Sequence, residues 1–155
     1  MPEAGVRGEY APNAAETLLA FDFGVRRIGV ALGNTLTGSA RALEVFDSVP
    51  IDRRFAHIAA LIQAWQPDRL VVGRPLDEDG TPTETTRLAE RFANQLRGRF
   101  GLTVEQVDER FSSREAQAII ADQRQSRQVR RGPIEDDAIA AAVILEQFLD
   151  ARRRA

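Results

Sequence analysis

The sequence predicts an α/β domain built on a mixed five-stranded sheet, three antiparallel strands followed by alternating helix and strand, with helices on both faces. Three observations predict it. Leu18 to Leu32 carries two apolar runs around a short polar turn, Gly24 to Arg27, which reads as a β-hairpin. Beyond Pro50 the apolar spacing changes to three and four, the period of an amphipathic helix. Leu70-Val71-Val72 is then a short continuous apolar run, the kind found in a buried parallel strand. No internal repeat or linker divides the chain. The reading is a flexible tail over 1–16, one domain over 17–151 and a basic tail over 152–155.

The first strands are expected at Thr17 to Phe23 and Ile28 to Leu32, and a third at Ser39 to Val49, ended by Pro50. Asp52 can cap a helix to about Trp65, with Phe55, Ile58, Ala59, Ile62 and Trp65 as its buried stripe. The lone histidine, His57, falls off that stripe and reads as a surface residue rather than a ligand. The loop after Leu70 to Val72 holds Asp77-Glu78-Asp79-Gly80; it lacks the remaining positions of a calcium loop and reads as a solvated turn. Thr83 to Gly98 is a second helix, with Leu88, Phe92 and Leu96 at intervals of four and Gly98 or Gly101 to stop it. Leu102 to Val107 is the last strand and delivers Asp108 and Glu109 at its carboxyl end. Ser112 and Glu115 form a capping box for a helix to about Ala121. The arginine-rich stretch Asp122 to Gly132 reads as a loop. A final helix from about Asp137 to Ala151 turns Ala141, Ile144, Leu145 and Phe148 inward, with Asp137 in its first turn.

Composition limits the functions available. The chain has 155 residues, 43% hydrophobic, which suits one core. No apolar run approaches the roughly 20 residues of a membrane span, and Met1 to Glu16 shows no secretory or transit pattern. There is no cysteine, so there is no disulfide and no thiolate metal site. A cytoplasmic location and no membrane partner are the expectation. Net charge is −2, and all 21 basic residues are arginine. Seven lie in two late clusters: Arg124, Arg127, Arg130 and Arg131, then Arg152, Arg153 and Arg154. Arginine offers a planar donor fork suited to phosphate; a solvated charged face is the plainer reading.

Chemistry concentrates in the acids. Asp22 lies inside an apolar strand, where a carboxylate costs several kcal/mol, roughly, unless partnered. Either a neighbouring turn or arginine bonds it, or it belongs to a metal or phosphate site. Gly24 and Gly29 favour the second reading, because glycine lets a backbone or ligand approach. Asp108 and Glu109 sit at a strand-to-helix junction and could pair with Arg110 or Arg114. Asp137, with Glu135 and Asp136, could simply complement a helix dipole. If the sheet gathers Asp22, Glu109 and Asp137 at one end of one face, their repulsion calls for a positive partner. Oxygen-only donors point to magnesium or manganese, and two such ions can clamp an in-line phosphoryl displacement.

Four motifs carry a resemblance across about residues 18 to 149. They are Asp22-Phe-Gly-Val-Arg-Arg-Ile-Gly-Val-Ala, Val71-Val-Gly-Arg-Pro-Leu, Asp108-Glu-Arg-Phe-Ser-Ser, and Asp137-Ala-Ile-Ala-Ala. Together they resemble the YqgF/RuvX family of nucleases, which has the RNase H-like fold. The resemblance implies a metal-dependent nuclease with Asp22, Glu109 and Asp137 as metal ligands for Mg2+ or Mn2+, in all two ions, and Asp108 as the competing choice for the middle position. It associates the chain with maturing the 5′ end of precursor 16S rRNA, or with resolving Holliday junctions. Arg74 stands where the family usually has leucine, and Arg130, Arg131 and Gly132 lie further upstream of the last aspartate than the family's lysine and glycine. Nucleic acid, RNA or branched DNA, is the implied partner, bound by a monomer or homodimer. Candidate backbone contacts are Arg26, Arg74, Arg110, Arg124, Arg127, Arg130 and Arg131. No aromatic residues interleave with the arginine loop, so backbone or shape recognition is expected there rather than base stacking. Two other classes compete. An actin-type ATPase would need a second domain and nucleotide motif that the chain lacks. A non-catalytic nucleic-acid-binding module would not need the acids.

Overall fold

A computed structural model of the protein describes residues 14–109 and 133–154. Its strands are β1 (Thr17–Phe23), β2 (Arg27–Asn34), β3 (Ser39–Asp47), β4 (Arg69–Arg74) and β5 (Thr103–Asp108). Its helices are α1 (Ile51–Trp65), α2 (Glu84–Phe100) and α3 (Pro133–Arg154). The strands form one sheet in the order β3-β2-β1-β4-β5. The β1–β2 and β2–β3 pairs are antiparallel, and β4 is parallel to both β1 and β5. The mixed α/β sheet expected from the sequence is therefore present. The capping box at Ser112 and the loop over 122–132 lie outside the described residues.

Strand alternation separates two cores. Leu19, Phe21, Ile28, Val30, Leu70 and Val72 face α1 and α2 and pack with Phe55, Ile58, Phe92 and Leu96. Leu18, Ala20, Ala31 and Val71 face the other way and pack under Ala141, Ile144, Leu145 and Leu149 of α3. β1 and β4 are thus apolar on both faces, as central strands of a covered sheet must be.

Several boundaries differ from the sequence reading, each for a local reason. Pro50, not Asp52, occupies the N-cap of α1, in extended geometry and with no side-chain cap bond; Asp52 lies in the first turn, where its charge favours the helix dipole. The inward stripe of α1 is Arg54, Phe55, Ile58 and Leu61, whereas Ala59 is exposed and Trp65 remains 37% exposed. His57 stacks on Phe46 with ring centroids 4.3 Å apart, and its Nε2 lies 3.2 Å from Glu44 Oε1. Thr83 caps α2 through a reciprocal bond set with Thr86, and α2 ends at Gly101, whose φ of 66° suits glycine. α3 starts at Pro133, a residue favoured at a first helical position, and continues to Arg154. Asp137 is therefore in the second turn of α3, and residues 152–154 prolong the helix rather than forming a tail. At the other end Glu16 belongs to the fold: its carboxylate pairs with Arg69 at 3.3 Å and its backbone is tied to Thr35.

Candidate active site

The acids meet on the α3 face of the sheet, at the carboxyl end of β1 and β4. Asp22 is the partner of Gly29 across the β1–β2 pair. On its other side, Phe21 pairs with Val72, and Gly73 is the next residue along β4. Asp22 is thus flanked by a glycine on each neighbouring strand, and each glycine admits one of the other two acids. A carbon added at Gly29 would lie 2.0 Å from the backbone oxygen of Asp137, so α3 rests directly on β2 there. A carbon added at Gly73 would lie 2.2 Å from Oε2 of Glu109, so the Glu109 carboxylate fills the space above β4. The Glu109 amide donates to the Arg74 carbonyl at 3.1 Å, which holds the residue against the end of β4.

Electrostatics agree with this juxtaposition. The Asp22 carboxyl is held well above the usual carboxylate range, first by burial and then by the charges of Glu109 and Asp137. Glu109 is pushed up to about 7, first by burial and then by Asp108. Asp108 bears on Glu109, while Asp22 senses Glu109 and Asp137.

Asp137 has a partner that sequence reasoning did not single out. Arg27 Nε donates to Asp137 Oδ2 at 3.0 Å. Arg27 opens β2 two residues before Gly29 and so projects on the same face, under α3. That parity is the signal that could have separated it from Arg26, which is exposed in the β1–β2 turn. Arg74 goes the other way: its Nε donates to Glu90 Oε2 of α2 at 2.7 Å, on the face opposite the acids. Arg110, Arg124, Arg127, Arg130 and Arg131 lie outside the described residues.

The donor set suits a hard divalent cation: three carboxylates, oxygen only, two of them raised in pKa by burial and then by neighbouring carboxylate charge. As they stand, no three His, Asp or Glu side chains among the described residues are close enough together to hold a metal ion. Asp22, Glu109 and Asp137 are neighbours in charge without having converged into a cage.

A sheet ordered 3-2-1-4-5 with its acids at this edge has the RNase H-like fold, and solved structures of that class overlay it. Thermus thermophilus RuvC, solved with a Holliday junction substrate, matches with a TM-score of 0.58 at 16% identity, covering 90% of this chain and 97% of that one. The fowlpox virus resolvase bound to Holliday junction DNA matches with a TM-score of 0.60 at 8% identity, covering 88% and 98%. Residues 16–151 match the model of the RuvX family, described as Holliday junction resolvase, and the chain belongs to that family. A Bordetella petrii protein named "Putative pre-16S rRNA nuclease" is 54% identical over 136 residues, 88% of this chain and 96% of its own.

Proposed function

We propose that this protein is a metal-dependent nuclease that hydrolyses phosphodiester bonds, with precursor 16S rRNA as its substrate. One observation carries the reading: Asp22 sits between two glycines, and over those glycines stand the Asp137 backbone and the Glu109 carboxylate. No packing need explains three acids gathered by such means, since their mutual repulsion destabilises the fold. A site for cations does explain it. The RuvX family membership and the name of the Bordetella relative support the same chemistry and the RNA substrate.

In this reading Asp22, Glu109 and Asp137 hold Mg2+ or Mn2+, two ions when the substrate is bound. Bound cations would supply a nucleophilic water at neutral pH and neutralise charge on the phosphate in flight. The protein supplies position. β1 fixes Asp22, the end of the β4–β5 ladder fixes Glu109, and α3 carries Asp137. Asp108 adjusts the affinity of Glu109 for its proton and is not itself a ligand. Of the arginines expected to contact the backbone, Arg26 is exposed in the β1–β2 turn, where it would give affinity without reading sequence.

The family's description also favours a second substrate, a four-way DNA junction. Cutting a junction symmetrically calls for a two-fold dimer. One experiment separates these. Labelled precursor rRNA, single-stranded DNA and a four-way junction are incubated with Mn2+, Mg2+ or chelator, beside Asp22→Asn and Asp137→Asn. The expected result is metal-dependent cleavage of the RNA, lost in both variants while RNA binding persists. Preferential cutting of the junction by a species that sediments as a dimer would select resolution instead. Equal cutting by the variants, or none by any protein, would leave a binding module without catalysis.

A further inference from the structure

We propose that the groove beside the end of α1 is a stacking site for one unpaired base of a single-stranded nucleic acid, remote from the acids. The inference stands on the groove alone and does not depend on metal at the acid site. α1 covers the face of the sheet that carries Phe21 and Val30, but the helix ends at Trp65, with Gln66 as its left-handed cap. Two rungs of the sheet on that face remain open next to this end. One holds Leu32 and Arg41, paired across β2 and β3, and the other holds Thr17, Asn34 and Ser39 across β1, β2 and β3. With Trp65 they line an open groove of about 380 Å³, within the roughly 300–1,000 Å³ of small-ligand sites.

The groove has the surfaces a base requires. Trp65, the chain's single tryptophan, is 37% exposed, and the Arg41 guanidinium lies over its ring, 5.7 Å from the centroid. An aromatic ring and a guanidinium plane are the surfaces on which unpaired bases stack. Arg41 has no acidic partner among the described residues, so its charge is available to a phosphate. Leu32 supplies an apolar floor. Asn34 Oδ1 accepts from the amide and the hydroxyl of Thr37 at 2.9 and 3.2 Å, which leaves its Nδ2 without a partner among the described residues. With the hydroxyls of Thr17 and Ser39 on either side, this rung can bond the polar edge of a base.

The surroundings favour a strand over a free polyphosphate nucleotide. The carboxyl end of α1, the negative end of its dipole, abuts the groove. The Asp68 carboxylate, which accepts from the Thr17 amide at 2.8 Å, stands beside it. One arginine in such company can meet the single charge of a phosphodiester but not that of a triphosphate. Thr17 and Asp22 lie at opposite ends of β1, about 17 Å apart along the strand, and their odd spacing puts them on opposite faces. The groove is thus an anchor for a strand and not an extension of the acid cluster.

The test uses the full chain in chelator, so that binding is read without cleavage. Trp65 emission is followed while oligoadenylate of about ten nucleotides, an abasic strand of the same length, AMP or ATP is added. Affinity is read separately from the anisotropy of labelled oligoadenylate, with wild type, Trp65→Phe, Trp65→Leu and Arg41→Gln. Saturable quenching by oligoadenylate and none by the abasic strand is expected. Trp65→Leu and Arg41→Gln are expected to weaken binding by about fivefold or more, and Trp65→Phe, which keeps a ring, by less. Melting temperatures show that the variants are folded; should Trp65→Leu melt early, Arg41→Gln, at an exposed position, carries the comparison. Equal quenching by the abasic strand, or unchanged affinity in the folded variants, would overturn the proposal and leave Trp65 as the end of the packing stripe of α1. Tighter binding of ATP than of oligoadenylate would also overturn it, in favour of a free-nucleotide site. None of these outcomes bears on the acids, whose metal-dependent cleavage is tested separately and can fail while stacking persists.

Discussion

Asp22 and Glu109 are carboxylates kept from ionising at their ordinary pH, and this has a measurable sign. Glu109 is raised to about 7 from a value of 4.5, so the folded chain holds its proton more tightly than the unfolded one. Asp22 is shifted the same way. The resulting stability is fully present below the unfolded pKa and is lost as pH rises through the folded one. In chelator, the melting temperature is expected to fall as pH is raised from about 5 to about 8. Added Mn2+ should reverse that trend, since it favours the ionised carboxylates. A flat melting profile in chelator would mean that the two carboxyls are less buried, or the acids farther apart, in solution. Much of this scale was legible in the chain. An aspartate inside an apolar strand, and an acid at a strand end, mark themselves by being costly there. Arg27 was not legible in the same way, because two adjacent arginines look alike until the strand's register gives each a face.

At the scale of the element, α1 shows what periodicity misses. Its spacing predicted an apolar stripe, but a buried arginine occupies one position. Arg54 Nε donates to the Ser48 carbonyl at 2.8 Å, and its Nη2 to Ser48 Oγ at 3.1 Å. Its guanidinium lies over the rings of Phe23, Phe55 and Phe92 at 5.2 to 5.8 Å. Burial, and then the nearby Arg99, lower its pKa. The aromatic faces and Ser48 make burial of the cation tolerable. Arg54→Leu is expected to cost about 2–4 kcal/mol, because it strands two buried acceptor groups and removes the ring interactions. Urea unfolding followed by fluorescence checks this, with Trp65, the sequence's single tryptophan, at the end of α1 as the reporter. The stripe holds at Phe55, Ile58 and Ile62; it missed Arg54 because the amphipathic pattern treats arginine as a surface residue, and a run of rings on other elements cannot be seen from α1 alone.

For the whole molecule, the mixed sheet and the covering of both its faces followed from hydrophobic patterning, and the structure bears them out. What patterning could not supply was how closely the last helix approaches. α3 buries Ala138, Ile139, Ala142 and Val143 as well as Ala141, Ile144 and Leu145 of its expected stripe, with Phe148 only partly buried, and its run of alanines lets the backbone descend onto β2 at Gly29. One face of the sheet is closed by this approach, which also brings Asp137 to the site. Gly29→Ala is expected to force α3 away from the sheet, since the added carbon meets backbone that cannot rotate aside. The destabilisation is expected to be several kcal/mol, roughly, because the whole packing of helix on sheet is pried open. Calorimetric melting measures it, and an unchanged melting temperature would show that α3 sits higher in solution.

Gly73 has a different consequence, for heredity rather than for stability. The atoms an added carbon would strike there belong to side chains, Glu109 Oε2 at 2.2 Å and Ile144 Cδ1 at 2.6 Å. Without the glutamate an added carbon would meet only the tip of Ile144, a flexible side-chain end that can shift aside. Gly73→Ala should therefore weaken Mn2+ binding in the wild-type chain yet cost much less stability once Glu109 is alanine, a coupling of about 1 kcal/mol in a double-mutant cycle. A descendant that lost Glu109 would be released to fill position 73, and one that filled position 73 would have little use left for the acid. The two positions are expected to change together, because the space that the glycine leaves over β4 is the space that the glutamate fills.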